Sequence, residues 1–180
     1  YEEVVIAVVF HLLVPPATAA PSYDVSVELL ERQLQRVSDA FNRKITTDPN
    51  AGNAKVVFKL ATYDQNGLKM QEPGKNVENI TAADFTAMGT SSTKTTQYLA
   101  YILANSKRII WDPNKYMNIW IAKFTTSTSK TGTTTSYRML APTVMHSDYE
   151  LTSIPGITMK HKDAFNLSDV TNCLEVGFML

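Results

Sequence analysis

The apolar positions of this chain change period from block to block, and each period predicts an element. Val4 to Phe10 is β-branched and nearly continuous, which predicts a strand covered on both faces. Pro15 and Pro16 end it, because proline cannot donate to a sheet ladder. Asp24 or Ser26 is then placed to cap a helix. Leu30, Leu34, Val37 and Phe41 recur at spacings of four, three and four, the stripe of an amphipathic helix over roughly Val27 to Asn42. Glu31, Arg32, Gln35 and Asp39 fall off that stripe toward water. Asp48 to Gly52 is a turn cluster. Lys55 to Tyr63 predicts a second strand, closed by the turn Asp64-Gln65-Asn66-Gly67. A polar stretch runs on to Asn79.

Ile80 to Met88 predicts a short helix with Thr81 as its cap, and Thr96 to Asn105 predicts another. Ile109 to Tyr116 reads as a loop, and Met117 to Ala122 alternates as a strand. Thr125 to Ser136 is a Ser/Thr-rich polar loop. Tyr137 to Leu140 and Ile157 to Met159 are short strand candidates, separated by Pro142 and Pro155-Gly156. Ser168 caps a terminal helix, and no internal repeat is present. The order of elements predicts an α/β fold, a mixed twisted sheet of about four or five strands with helices packed on it. Val8, Phe10, Leu34, Phe41, Phe58, Leu60 and Ile119 are expected in one core.

Composition narrows the function classes. The 180 residues suit a single domain with one core. Hydrophobic content of 44% and charged content of 19% are ordinary for a soluble globular protein. Lys+Arg and Asp+Glu both total 17, so there is no bulk electrostatic case for nucleic acid or an anionic membrane as partner. The chain has no apolar run of about 18 residues, so no membrane span is expected. Val4 to Val14 followed by Ala17-Thr18-Ala19-Ala20 has the outline of a signal peptide. Glu2 and Glu3 lead it, His11 interrupts it and prolines surround the cleavage position, so a buried first strand is the better reading. The absent initiator Met points to a leader removed upstream or to an arbitrary boundary. Cys173 is the sole cysteine, which excludes an internal disulfide and suits a buried small hydrophobe.

His11, His146 and His161 are the only imidazoles, and none pair at i, i+4. No metal ligand set is therefore expected in this chain. His11, at the end of a core strand, is expected to hydrogen-bond to a neighbouring backbone or side chain. Asp148 and Glu150 near His146 outline a weak surface cation site, for which a solvated loop is the plainer reading. Trp111, Tyr116 and Trp120 offer either a ligand-stacking platform or core anchors, and their strand-and-loop setting favours anchors. Asn118, between apolar neighbours, is then expected to bond to backbone.

Several segments together resemble the pappalysin-like branch of the metzincin zinc metallopeptidases, including secreted bacterial lipoprotein relatives. Val4 to His11 is similar to that family's opening strand, which ends V-F-H. Leu30 to Phe41, ending in Phe41-Asn42-Arg43, resembles its first helix. Val57 to Ala61 with the turn Asp64 to Gly67 resembles its second strand. The most specific match is Trp111-Asp112-Pro113-Asn114-Lys115-Tyr116-Met117-Asn118-Ile119-Trp120, which follows the family's W-D-P-x-x-Y-x-N-x-W block. Ser153 to Ile157 sits where the family has a D-G-V type strand, and Phe165-Asn166-Leu167 sits where its approach to the zinc helix begins.

The resemblance implies a metzincin-like N-terminal subdomain over 1–180, with the C-terminal zinc-binding part absent. It implies secretion or a cell-envelope location after removal of an upstream leader. The family continues H-E-x-x-H-x-x-G-x-x-H, in which two histidines bind zinc and the glutamate activates the metal-bound water. Here Glu175 stands in the place of that catalytic glutamate, while Leu174 and Phe178 stand where the histidines belong. A second register stays open, with the motif starting just past Leu180 of a longer parent. Zinc is thus the resembled family's cofactor, and none is expected in this chain. Tyr137, Arg138, Met139 and Leu140 correspond to the edge strand that pairs with an extended peptide or protein substrate. Pairing of that strand inside its own sheet is the open alternative. Three readings follow. The chain is the N-terminal portion or degenerate copy of a secreted zinc endopeptidase, inactive by itself. It is a non-catalytic peptide- or protein-binding module on a protease-like fold. Or it is a structural piece that needs a missing C-terminal half.

Overall fold

A computed structural model describes residues 2–18, 25–45, 50, 52–89, 100–122 and 157–160. Strand β1 (Val4–Val14) is the centre of a five-stranded sheet. On one side it pairs in parallel with two strands in succession. Strand β2 (Val56–Leu60) aligns Val4 with Val56 through Val8 with Leu60. Strand β3 (Lys75–Asn79) aligns Phe10 with Lys75 through Val14 with Asn79. These two therefore share one line along β1, interrupted by the excursion 61–74. On the other side β4 (Met117–Ala122) pairs with β1 and β5 (Ile157–Lys160) pairs with β4, both in parallel. The result is the expected α/β fold, and every described pairing of named strands is parallel. The strand candidate Tyr137–Leu140 lies outside the described residues, as does the terminal helix begun by Ser168.

Parallel neighbours require a crossover, and helix α1 (Val27–Phe41) supplies the one between β1 and β2. Ser26 is its cap, with Oγ accepting from the Leu29 amide at 3.3 Å. The stripe of α1 lies on the face of β1 that carries the even-numbered residues. Val8, Phe10, Leu12, Leu30, Leu34, Val37, Phe58, Ile119 and Ile121 form that core, with Phe41 and Leu60 half-buried against it. All seven expected core residues are among them. At about 25 cal/mol per Å² of apolar surface removed from water, burial of these side chains favours folding.

Three boundaries differ from the sequence expectation. The second strand ends at Leu60, where Ala61 is still buried but the chain turns outward. The polar stretch before Asn79 contains β3. Residues 100–104 are helical and lead into a one-turn helix, Ser106–Ile109, so the loop begins a residue later than Ile109. Helix α2 (Ala82–Gly89) starts as expected at Thr81. The Thr81 hydroxyl accepts from the Asp84 amide at 3.1 Å, and the Asp84 carboxylate accepts from the Thr81 amide at 3.3 Å, a reciprocal capping box.

The excursion 61–74 leaves and rejoins the sheet at one point. Gly74 donates to the Ala61 carbonyl at 2.7 Å and accepts from the Phe10 amide at 2.7 Å. Its φ is +64°, and a Cβ there would lie 2.6 Å from Leu60 Cδ2. Only glycine fits this return.

The outer edge of β2 is closed by side chains. Val4 donates to Lys55 and Ala61 donates to Val8, so alternation turns Val56 and Phe58 backbone groups away from β1. Asn42 covers Val56 from both ends, its amide nitrogen donating to the Val56 carbonyl at 2.7 Å and its oxygen accepting from the Val56 amide at 3.1 Å. Ser38 Oγ accepts from the Phe58 amide at 2.9 Å while donating to the Leu34 carbonyl at 2.8 Å. Side chains four apart, one on α1 and one at its C-terminal cap, thus replace an adjoining strand.

Candidate functional site

The odd-numbered face of β1 carries the block around Trp111 to Trp120. Asp112 builds its entry turn. The Asp112 carboxylate accepts from the Asn114 amide at 3.0 Å, and its carbonyl accepts from the Lys115 and Tyr116 amides at 3.0 and 2.9 Å. The Asn114 amide, with lesser help from the Asn114 side chain and Lys115, holds the Asp112 carboxyl below its ordinary pKa. The turn delivers Asn118 to the buried face of β4, where it clamps Trp111. Asn118 Nδ2 donates to the Trp111 carbonyl at 2.9 Å, and Oδ1 accepts from the Trp111 amide at 2.9 Å. Both backbone groups of Trp111 are paired by one side chain.

That clamp decides the state of His11. Because Asn118 Oδ1 faces the Trp111 N–H, it is an acceptor, and His11 Nε2 at 2.8 Å must donate to it. Nδ1 is then the unprotonated nitrogen and accepts from Asn76 Nδ2 at 2.9 Å. The imidazole is stacked on Trp120 and meets Trp111 edge-on, each ring centroid 5.7 Å away. Burial lowers the His11 pKa from 6.5 to about 4, against the opposing hydrogen bond to Asn118. Trp120 is fully buried and its indole N–H donates to the Ile109 carbonyl at 2.7 Å. Trp111, Trp120 and Asn118 are therefore anchors of the fold, as their setting predicts, and His11 bonds to side chains.

Outside this lock lies a cleft of about 540 Å³, with Trp111 and Asn76 at its inner wall. Its rim is the excursion 61–74, held stiffly by Asp64. One Asp64 carboxylate oxygen accepts from the Asn66 and Leu68 amides at 2.8 and 2.9 Å. The Tyr116 hydroxyl donates to the Asp64 carbonyl at 3.1 Å, tying the rim to the tryptophan block. Lys75 in the wall is buried and bonds to Glu72 at 2.9 Å. Glu78 pairs with Arg108. The sequence offered no signal for this cleft, because its charged walls come from the stretch read as polar loop.

Glu175, Tyr137, Arg138, Met139 and Leu140 lie outside the described residues, as do Leu174, Phe178, Cys173, His146, Asp148, Glu150 and His161. Among the described residues no group of three or more His, Cys, Asp and Glu could hold a metal ion. His11 does not suit a zinc ligand, since both ring nitrogens already have partners. No hydrolytic step is assigned to these residues. Among them no helix is long and apolar enough to cross a membrane.

No family model matches the sequence, and no curated protein matches it. Solved structures do. The chain is similar to mature mirolysin of Tannerella forsythia in complex with a cleaved peptide, at 18% identity and a TM-score of 0.53, over 91% of this chain and 54% of that one. It is also similar to a mutant of Tannerella forsythia promirolysin, at 22% identity and a TM-score of 0.46 over 70% of this chain and 39% of that one. For mirolysin in complex with compound 9 the figures are 23% and 0.46, over 68% of this chain and 43% of that one. The chain thus spans about half the length of the mature mirolysin chain. The chain therefore shares its fold with about half of the mature mirolysin chain.

Proposed function

We propose that this chain is the peptide-holding N-terminal portion of a secreted zinc metalloendopeptidase of the metzincin type, or a degenerate copy of one. The observation that carries the reading is the likeness in fold, over 91% of the chain, to a mirolysin structure that holds a cleaved peptide. The Trp111–Trp120 block supports it, since the resembled sequence pattern serves here as the fold's central clamp. In this reading an extended peptide or protein substrate pairs with Tyr137–Leu140, and Glu175 corresponds to the family's catalytic carboxylate. Zinc would be supplied with ligands from outside 1–180, because Leu174 and Phe178 replace the imidazole pair.

The test is zinc content and chelator-sensitive cleavage of an unstructured protein, measured on residues 1–180 and on the native gene product. We expect no tightly held zinc in 1–180, and about one per chain in a product that contains an H-E-x-x-H helix. Chelator-sensitive cleavage by 1–180, lost in Glu175→Ala, would overturn the division of labour. A native product with neither zinc nor cleavage, but with saturable peptide binding, would replace it with the non-catalytic binding reading, which Leu174 and Phe178 favour.

A further inference from the structure

Among the described residues, the line formed by β2 and β3 along β1 is closed in one half and bare in the other. In the β3 half, Phe10 donates to the Gly74 carbonyl and Ile80 donates to the Val14 carbonyl. Alternation from these two bonds turns Asn76 and Glu78 toward β1 and leaves the N–H and C=O of Val77 and Asn79 facing outward. No described residue pairs with those four groups. Val77 is 44% exposed, so water reaches the edge. Among the described residues no Ser38 or Asn42 equivalent covers it, although the same sheet closes the β2 half that way.

The cleft borders this bare edge, with Lys75, Asn76, Val77 and Glu78 in its wall. A chain added to β3 would direct alternate side chains along that wall. The wall has a surplus of one carboxylate. Lys75 is matched by Glu72 and Arg108 by Glu78. Asp64, in the same cleft, accepts only backbone amides among its described bonds. A basic side chain complements that surplus.

We propose that the β3 edge is a docking site for an extended peptide segment bearing Lys or Arg, which adds as a strand beside Val77 and Asn79 and places its cation in the cleft beside Asp64. The site is built from other residues than Tyr137–Leu140 and does not rest on the peptidase reading. The experiment uses residues 1–180 and a fluorescein-labelled peptide, Thr-Val-Arg-Val-Thr, followed by anisotropy and by amide exchange. Val77→Pro removes the outward donor, yet leaves the β1–β3 ladder, which does not use the Val77 N–H. We expect saturable binding to wild type, weakened about tenfold by Val77→Pro and several-fold when the probe carries Glu for Arg. Val77→Thr, which keeps the backbone groups, should bind like wild type. In wild type the Val77 amide should exchange at least about tenfold more slowly with probe bound, a readout independent of any variant's folding. Absence of saturable binding, equal binding by a folded Val77→Pro protein, or an unchanged Val77 amide would overturn the proposal. Equal affinity for the Arg and Glu probes would overturn the role of Asp64.

Discussion

Even-numbered and odd-numbered residues of β1 meet different chemistry, although they come from one apolar run. Val8, Phe10 and Leu12 lie under α1 among aliphatic and phenyl groups. Val9 packs with Ala61 and Trp111, and His11 is held between Asn118 and Asn76. The first face is specified by volume and period, so many side chains could fill it. The second is specified by hydrogen-bond count. Asn118 alone satisfies both backbone groups of Trp111 and the N–H of His11, and no hydrocarbon of the same shape can do so. The cores of one sheet thus differ in what they tolerate.

Removing the largest side chain on the polar face should have the greatest effect. Trp120→Ala empties a fully buried site and strands the Ile109 carbonyl. The expected loss is about 3–5 kcal/mol, read from the urea midpoint. A loss below about 1 kcal/mol would place the ring elsewhere and dissolve the contrast between the faces.

Asn118→Leu is the sharper probe, because it preserves volume. Three buried groups would lose their partner together, at about 1–3 kcal/mol each before relaxation. We expect a total near 3 kcal/mol, with a blue or red shift in tryptophan emission as Trp111 moves. A near-neutral result would mean that shape governs this face too.

Acid tests the same face without mutation. His11 is neutral in the folded chain down to about pH 4, while an unfolded histidine takes up its proton near 6.5. Above the upper value neither state is protonated and the full stability is present. Between the two values the unfolded chain binds a proton that the folded chain refuses, so stability falls as pH drops. Below about 4 both are protonated and this contribution stops changing. The loss across that window is on the order of 3 kcal/mol. It should be absent from the stability-against-pH profile of His11→Gln, measured by urea titration at several pH values.

Legibility followed the same division. The stripe Leu30, Leu34, Val37 and Phe41 gave the helix and its core partners, because period alone sets which side of a helix is buried. The tryptophan block was recognisable as a pattern, yet the partner that explains it, His11, is 107 residues from Asn118. Strand β3 was invisible because Lys75 and Glu78 are buried only through ion pairs that the fold creates. A local reading scores such residues as solvent-facing. The one local hint was Gly74, whose positive φ marks the return to the sheet. Glu175 and Tyr137–Leu140 carry the peptidase reading and lie outside the described residues.

The smallest effect is expected on the apolar face. Leu34 is buried on the sheet-facing side of α1 in a hydrophobic core, without a side-chain hydrogen bond to lose. Methionine has nearly the same volume and an unbranched, adaptable chain that can follow the existing cavity. Leu34→Met should therefore cost less than about 1.5 kcal/mol, and the His11 contribution to the acid profile should be unchanged. Chemical denaturation at pH 7 and pH 5 measures both. If Leu34→Met instead cost as much as Asn118→Leu, the α1 face would depend on exact shape rather than on volume and period. If it altered the acid profile, the two faces of β1 would be coupled through the strand, and His11 would be responding to packing on the opposite side of the sheet.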